Sequence, residues 1–206
     1  MKKEIIRYTI CAILILLLTL PGSAYIKNIR EDSFQSRIDQ AGVPEISYRT
    51  HVQDIGWLGW EKAGAATGTV GQGKGIEAIQ IKIGNDAKSG SVRYRAHVQN
   101  IGWLGWCKAG ETAGTTGVSL NMEAIEIELT GELAEKYNIY YRVHVQDRGW
   151  MGWACNGETA GSTGMGRRIE AIQIISTPKS VKTPPKSYNS VTQNEIKPYL
   201  DQQTWN

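Results

Sequence analysis

Tryptophans and polar side chains that could hold a ligand recur three times along the chain. Two tryptophans three positions apart, each preceded by glycine, follow a His-Val-Gln triplet in "HVQDIGWLGWEKAG" (51–64), "HVQNIGWLGWCKAG" (97–110) and "HVQDRGWMGWACNG" (144–157). An exposed indole can stack on the C–H groups of a sugar ring while neighbouring polar groups hydrogen-bond its hydroxyls. The predicted binding residues are therefore Trp57, Trp103, Trp150, Gln53, Gln99, Gln146, Asp54, Asn100 and Asp147.

The spacing within each tryptophan pair predicts opposite orientations for its two rings. Residues three apart on a regular strand point to opposite faces, and Leu58 shares a face with Trp60, which favours that face as core. This argument places Trp60, Trp106 and Trp153 inside and leaves Trp57, Trp103 and Trp150 facing outward. The alternative is that all six indoles are structural and lie in the interior.

Histidines and glutamates recur at the same spacing without forming an evident metal or catalytic site. Symmetric outward histidines (His51, His97 and His144) diverge, and the neighbouring arginines would repel a cation, so we expect no metal ion. The glutamates Glu77, Glu123 and Glu170 fall on the isoleucine face, where a buried carboxylate needs an indole, tyrosine, histidine or arginine donor. Every acidic candidate occurs in symmetric triplicate, whereas an active site is normally asymmetric. We therefore expect no catalytic residues and no cofactor.

The stretches around these residues predict short strands. In "YRAHVQ" (94–99), Tyr94, Ala96 and Val98 alternate with Arg95, His97 and Gln99. A turn of two or three residues then leads into "GWLGW", which favours a hairpin. "AGTTG" and "AGSTG" have the composition of glycine-rich turns, and "IEAIQIKI" (76–83) alternates again. No part of the repeats has a helical period, so the fold class is all-β.

Three similar units are expected to share one core. Their internal spacing is constant while their connectors vary, which is typical of a repeated supersecondary unit. A unit of three or four short strands cannot bury a core alone. We therefore predict one domain at 46–176 with pseudo-threefold symmetry, in units at about 46–84, 92–130 and 139–176. A β-prism-like architecture is favoured, with a β-trefoil as the alternative.

The two ends of the chain differ in composition from the repeats. Residues 1–24 combine a basic start, an apolar run too short for a span of about 20 residues and small residues before Tyr25. This layout predicts a secretory signal peptide and no membrane association after cleavage, with a retained anchor as the alternative. Residues 25–45 are a polar segment, and residues 177–206 form a Pro-, Ser- and Lys-rich tail with the composition of an extended linker.

Charge and cysteine content restrict the partners. The formal net charge of the 206 residues is +3, and removal of a leader that contains Lys2, Lys3, Arg7 and Glu4 lowers it to +1. A nearly neutral chain without basic runs does not favour nucleic acid as a partner. Cys107 and Cys155 stand at inequivalent positions of their repeats. They do not indicate a disulfide framework, and their pairing stays open.

The segments "HVQNIGWLGW", "GETAGTTG" and "MEAIEIEL" resemble the clostridial hydrophobic repeat with its characteristic tryptophan (ChW). The resemblance covers about 46–176 in three consecutive copies. It implies a secreted or surface protein of a Gram-positive bacterium and a role in adhesion or substrate binding, and it brings no catalytic residues. We therefore expect a secreted, non-catalytic binding module for a polysaccharide or cell-surface glycan. The alternative is a protein–protein adhesion or structural surface module that contacts surface proteins and has no sugar ligand.

Overall fold

Fifteen strands and one short helix occur in residues 43–84 and 90–180, the part of the chain that the computed structural model describes. Repeat 1 contains β1 (Ile46–Val52), β2 (Gly56–Trp57), β3 (Glu61–Lys62), β4 (Thr67–Gly68) and β5 (Ile76–Ile83). Repeat 2 contains β6 (Gly90–Val98), β7 (Gly102–Trp103), β8 (Cys107–Lys108), β9 (Ala113–Gly114) and β10 (Met122–Gly131). Helix α1 (Glu132–Lys136) leads into repeat 3, with β11 (Tyr137–Val145), β12 (Gly149–Trp150), β13 (Ala154–Cys155), β14 (Ala160–Gly161) and β15 (Ile169–Pro178).

The predicted ends of the chain lie mostly outside the described residues. These residues include neither the predicted signal peptide (1–24) nor most of the polar segment (25–45) and of the tail (177–206). At the predicted start of the tail, Thr177 and Pro178 belong to β15. Among the described residues, no helix is long and apolar enough to cross a membrane.

The two long strands of each repeat form an antiparallel pair that separates core from surface. In repeat 2, β6 pairs with β10 along most of its length. Tyr94, Ala96 and Val98 are fully buried, whereas Arg95 and His97 lie half-buried on the other face. The alternation predicted from the sequence is confirmed.

The two-residue strands that follow pair with the other edge of the first long strand. In repeat 1, β2 and β3 both lie antiparallel to β1, with Val52 opposite Gly56 and Tyr48 opposite Glu61. A three-residue turn therefore joins β1 to β2, which confirms the predicted hairpin.

The remaining short strand of each repeat pairs with a different repeat. Strand β9 of repeat 2 pairs with β5 of repeat 1, and β14 of repeat 3 pairs with β10 of repeat 2. Strand β4 of repeat 1 pairs with β15 of repeat 3 and so closes the cycle. Each repeat thus donates one strand to its neighbour, and the three repeats form a closed ring.

The donated strands correct the interpretation of the glycine-rich segments as turns only. Gly68, Gly114 and Gly161 have φ angles of 117°, 102° and 116°, which L side chains rarely adopt. A Cβ atom on Gly114 would lie 2.3 Å from the carbonyl oxygen of Glu77 in the neighbouring repeat. Only glycine allows both this backbone conformation and this close approach, so an Ala-Gly dipeptide can serve as a strand here.

Buried tyrosine hydroxyls form a second connection between repeats. Tyr94 accepts a hydrogen bond from the backbone N–H of Ile81 in repeat 1, at 3.0 Å, and donates one to the carbonyl of Glu111 in its own repeat. In repeat 1, Tyr48 makes the equivalent 3.0 Å contact to Ile174 of repeat 3. Because the N–H groups of Ile81 and Ile174 are buried, loss of the tyrosine hydroxyl would leave them without a hydrogen-bond partner.

The complete arrangement consists of three five-stranded antiparallel sheets around one core. The core cluster draws on all three repeats, and within residues 43–84 and 90–180 the sheets do not join into a closed barrel. The all-β class and the pseudo-threefold symmetry predicted from the sequence are confirmed. Separate sheets are typical of the favoured β-prism-like architecture rather than of the alternative, a β-trefoil, which contains a barrel.

Alkaline pH is expected to destabilise this ring through its tyrosines. Burial raises the pKa of Tyr94 from 10.0 to about 12 and raises that of Tyr141 further. The unfolded chain therefore loses these phenolic protons first, and each tyrosine removes about 1.4 kcal/mol of stability per pH unit above about pH 10. Urea unfolding followed by circular dichroism should show a stability that begins to fall above about pH 9, because burial also raises the pKa of the Cys155 thiol from 9.0 to about 11. The fall should be steepest between about pH 10 and 12, where the tyrosines contribute. Tyr94→Phe should flatten this fall, and an equally steep fall in that variant would contradict the assignment.

Candidate functional site

The outer face of each sheet carries a ladder of aromatic and cationic side chains. In ladder 1 (His51, Trp57, Arg49 and Trp60), the guanidinium carbon of Arg49 lies 4.8 Å from the centroids of both indoles. The His51 and Trp57 rings meet edge to face at 5.4 Å. The equivalent residues form ladder 2 (His97, Trp103, Arg95 and Trp106) and ladder 3 (His144, Trp150, Arg142 and Trp153).

An interruption between two short strands brings both tryptophans of a pair to the same face. His51 and Arg49 are two residues apart on β1, and Trp57 lies opposite His51 on β2. The chain then leaves the sheet and pairs with β1 again only at Glu61. Strand alternation does not hold across this gap, and Trp60 therefore contacts Arg49 on the outer face.

The predicted core positions of Trp60, Trp106 and Trp153 are consequently wrong. Trp106 is 37% exposed, and the other five indoles of the ladders are half-buried rather than sealed in the core. The neighbouring Leu58, Leu104 and Met151 do pack against the core. Trp57, Trp103 and Trp150 lie on the outer face, as expected, and their role in ligand binding stays a prediction.

A histidine–glutamate pair stands at one end of each ladder. The Nδ1 atoms of His51, His97 and His144 lie 3.0, 3.1 and 3.1 Å from Oε2 of Glu77, Glu123 and Glu170. The glutamates are buried, and each Nδ1 atom contacts the carboxylate without the alignment of a hydrogen bond. Glu170 also accepts hydrogen bonds from Arg168 at 2.8 and 3.2 Å, which supply a partner that a desolvated carboxylate requires. Each histidine contacts its own glutamate, and the described residues contain no group of three His, Cys, Asp or Glu side chains able to hold a metal ion.

The placement of these glutamates on the isoleucine face is wrong because each long pair contains a β-bulge. Val52 pairs with Ile76 and His51 with Ala78, so Glu77 has no partner residue on β1. The extra residue shifts the alternation by one position. Ile76 consequently enters the core, while the carboxylate of Glu77 contacts His51 on the outer side.

The arginines at the centres of the ladders were missing from the predicted site. Arg49 Nε donates to Gln80 Oε1 at 2.9 Å, and Gln80 Nε2 donates to Thr112 Oγ1 of the next repeat at 2.9 Å. In ladder 2, Arg95 bonds Glu126 at 2.7 Å, which in turn accepts from Thr159 of repeat 3 at 2.7 Å. The arginine two positions before each histidine was the available signal in the sequence. It links the ladder to the junction between repeats.

The predicted polar residues lie in the turns at the end of each sheet. Asp54, Asn100 and Asp147 are exposed with φ angles of 61°, 63° and 61°, which is typical of Asp and Asn in turns. Asp54 pairs with Lys74 at 3.1 Å, and Asp147 pairs with Arg167 at 3.2 Å. The half-buried residues Gln53, Gln99 and Gln146 directly follow the long strands and donate backbone N–H groups to the opposite loop. The structure gives all six a local role in the turns.

The two cysteines do not form a disulfide bond. Cys107 and Cys155 are free thiols in partly buried positions. Burial raises the pKa of both and brings that of Cys155 to about 11, so neither is a ready nucleophile.

Three strand-exchanging repeats with the same outer ladder define a pseudo-threefold β-repeat protein. The family model described as clostridial hydrophobic W matches residues 51–85, 97–131 and 144–177, which together make up half of the chain. The chain belongs to this family, as its sequence motifs predicted. Comparisons with curated proteins and with solved structures found no match.

Proposed function

We propose that this protein is a secreted, non-catalytic module that binds polysaccharide or cell-surface glycan through its ladders. The observation that supports this proposal is the presence of three Trp–Arg–Trp groups with partly exposed indoles, one on the outer face of each sheet. Their repetition favours binding over catalysis, because a recognition surface can be copied threefold without loss of function.

The chemistry of a ladder suits a sugar. The arginine stacks against both indoles and keeps the rings in place without sealing them, as the 37% exposure of Trp106 indicates. An indole held in this way offers an apolar surface to sugar C–H groups. In ladder 1, the Nε–H of Arg49 donates to Gln80, and the guanidinium has further N–H donors besides this one. The indole thus provides an apolar surface, and the guanidinium and the amide of Gln80 provide hydrogen-bonding groups beside it. This combination fits a sugar, which has an apolar ring face and polar hydroxyls.

The arrangement of the ladders suits a polymer network rather than a short oligosaccharide. The ladders lie on three different sheets, so one short sugar chain cannot reach all of them. A matrix that surrounds the module can engage several at once, and weak single contacts then add up through raised effective concentration.

A second candidate function, adhesion to a protein partner, is favoured by a separate surface. The turns at one end of the sheets expose Ile55 (48%), Val70 (50%), Ile101 (53%), Val118 (56%) and Met165 (38%). The three sheet ends meet there, since the side chains of Asn121 and Arg168 lie against Gly75. A group of exposed apolar residues on a domain surface is typical of a protein contact site.

Nuclear magnetic resonance can distinguish the two candidates in one titration series. We expect cellohexaose, xylan, mannan, polygalacturonate or purified cell-wall glycan to shift the indole N–H signals of the ladders. Under the protein-adhesion alternative, these sugars would leave the indole signals unchanged, and a surface-protein extract would shift the methyl signals of Ile101 and Val118. Unchanged indole signals with every polysaccharide would contradict the glycan proposal.

A further inference from the structure

The three ladders share their aromatic residues but differ in the side chains beside them. The same two cross-strand pairs flank each ladder, one at its centre and one next to its second tryptophan. These pairs are Arg49–Gln80 and Ser47–Lys82 in ladder 1, Arg95–Glu126 and Arg93–Glu128 in ladder 2, and Arg142–Gln173 and Tyr140–Ile175 in ladder 3.

Ladder 2 is electrically neutral at these positions. Arg95 pairs with Glu126 at 2.7 Å, and Arg93 pairs with Glu128. Each cation beside Trp103 and Trp106 therefore has its own carboxylate. An anionic ligand would have to compete with these internal partners.

Ladder 3 offers little accessible charge. Arg142 is only 2% exposed and bonds Gln173 at 2.7 Å. The second cross-strand pair, Tyr140 and Ile175, carries no charge at neutral pH. This ladder is the least polar of the three.

Ladder 1 is cationic and lacks internal compensation. Arg49 lies opposite the neutral Gln80, and Lys82 Nζ lies 4.1 Å from the centroid of the Trp60 ring. Within the described part of the chain, neither Arg49 nor Lys82 forms an ion pair, whereas the nearby Lys62 is paired with Glu45 at 3.5 Å. Two cations thus lie next to one half-buried indole.

We propose that ladder 1 is selective for the anionic group, a carboxylate or a phosphate, of an acidic polysaccharide. The sugar ring contacts the indole of Trp60, and the anionic group of the sugar is attracted by Lys82 and Arg49. Lys82 Nζ lies 4.1 Å and the guanidinium carbon of Arg49 lies 4.8 Å from the centroid of this indole. Charge-assisted contacts of this kind are stronger than those between neutral groups. This inference rests on the proposed function, since it names the class of glycan that one of the ladders takes.

The test compares two polymers with the same sugar backbone, the anionic polygalacturonate and its uncharged methyl ester. Isothermal titration should give roughly tenfold tighter binding of the acidic form to the unmodified protein, with a difference that shrinks at high salt. The double variant Gln80→Glu/Lys82→Glu introduces the two carboxylates of ladder 2 into ladder 1 and should lose this preference. A third arm uses a phosphomannan, whose sugar rings carry phosphodiester groups, and shows whether a phosphodiester is preferred over a carboxylate.

Matched variants separate a local effect from a change in net charge. Glu126→Gln/Glu128→Lys replaces both carboxylates of ladder 2 by the residues that ladder 1 has at those positions, and it should strengthen binding of the acidic polymer. Arg148→Glu removes positive charge from an exposed turn and should leave the preference unchanged. A preference that survives in Gln80→Glu/Lys82→Glu, or equal binding of both polymers, would overturn the inference alone if neutral polysaccharides still shift the ladder indoles. Absence of any indole shift would overturn the proposed function with it.

Discussion

Replacement of Gly114 by alanine is expected to lower the free energy of unfolding by roughly 3–5 kcal/mol. Gly114 belongs to the strand that repeat 2 donates to repeat 1. Its φ angle of 102° is unfavourable for an L side chain, and its Cβ would lie 2.3 Å from the carbonyl oxygen of Glu77 and 2.8 Å from Cα of Ala78. Neither neighbour can move without separating the two strands. The backbone strain of alanine and the loss of strand pairing therefore both lower the free energy of unfolding.

The repeat itself provides two control glycines for this substitution. A Cβ atom on Gly105 would meet no other atom within 4 Å, and the φ of Gly105 is not positive, so Gly105→Ala should leave stability nearly unchanged. Gly102 has a φ of 91° but open surroundings, so Gly102→Ala should cost only the backbone strain, about 1–2 kcal/mol. Urea unfolding of the three variants would contradict the strand-exchange account if Gly114→Ala were no more damaging than Gly102→Ala.

Strand alternation made much of the fold predictable from the sequence. The placement of Tyr94, Ala96 and Val98 in the core depends only on period-two spacing along a regular strand. The threefold repetition of one unit likewise predicted a shared core. These features are local or repeated, and both properties can be read from the order of residues.

The donated strands could not be recognised from local sequence. Ala113–Gly114 has the composition of a turn, and its partner Ile79 belongs to another repeat. Short strands of this kind are stabilised by tertiary pairing that overrides intrinsic propensity. The recurrence of a glycine at the same position in all three repeats was a signal, because only a constrained backbone requires it.

The ladders were only partly predictable for a related reason. The orientation of Trp60 depends on where the chain leaves β2 and rejoins β1, and that of Glu77 depends on a single bulge residue. Both events shift the alternation by steps that the residue types do not indicate. The sequence thus identified the aromatic residues of the ladders. The position of Arg49 between the two indoles could not be predicted, because it depends on the tertiary structure.

The claim that the ladders bind glycan leads to the second large expected effect. The second tryptophan of each pair lies between the short strands and outside the core, so replacement of Trp60, Trp106 and Trp153 by alanine should leave the protein folded, with a cooperative unfolding transition in urea. Each removal deletes one platform and should weaken polymer binding about tenfold, since truncation of a central aromatic contact typically costs more than 1 kcal/mol. Because the sites act together, the triple variant should bind at least about a hundredfold more weakly than the unmodified protein.

The most direct test is the affinity of the single, double and triple alanine variants for the polysaccharide that shifts the indole signals most strongly. Isothermal titration should show a stepwise loss of affinity with each indole removed and binding by the folded triple variant that is at least about a hundredfold weaker. A folded triple variant that binds the same polysaccharide as tightly as the unmodified protein would contradict the account.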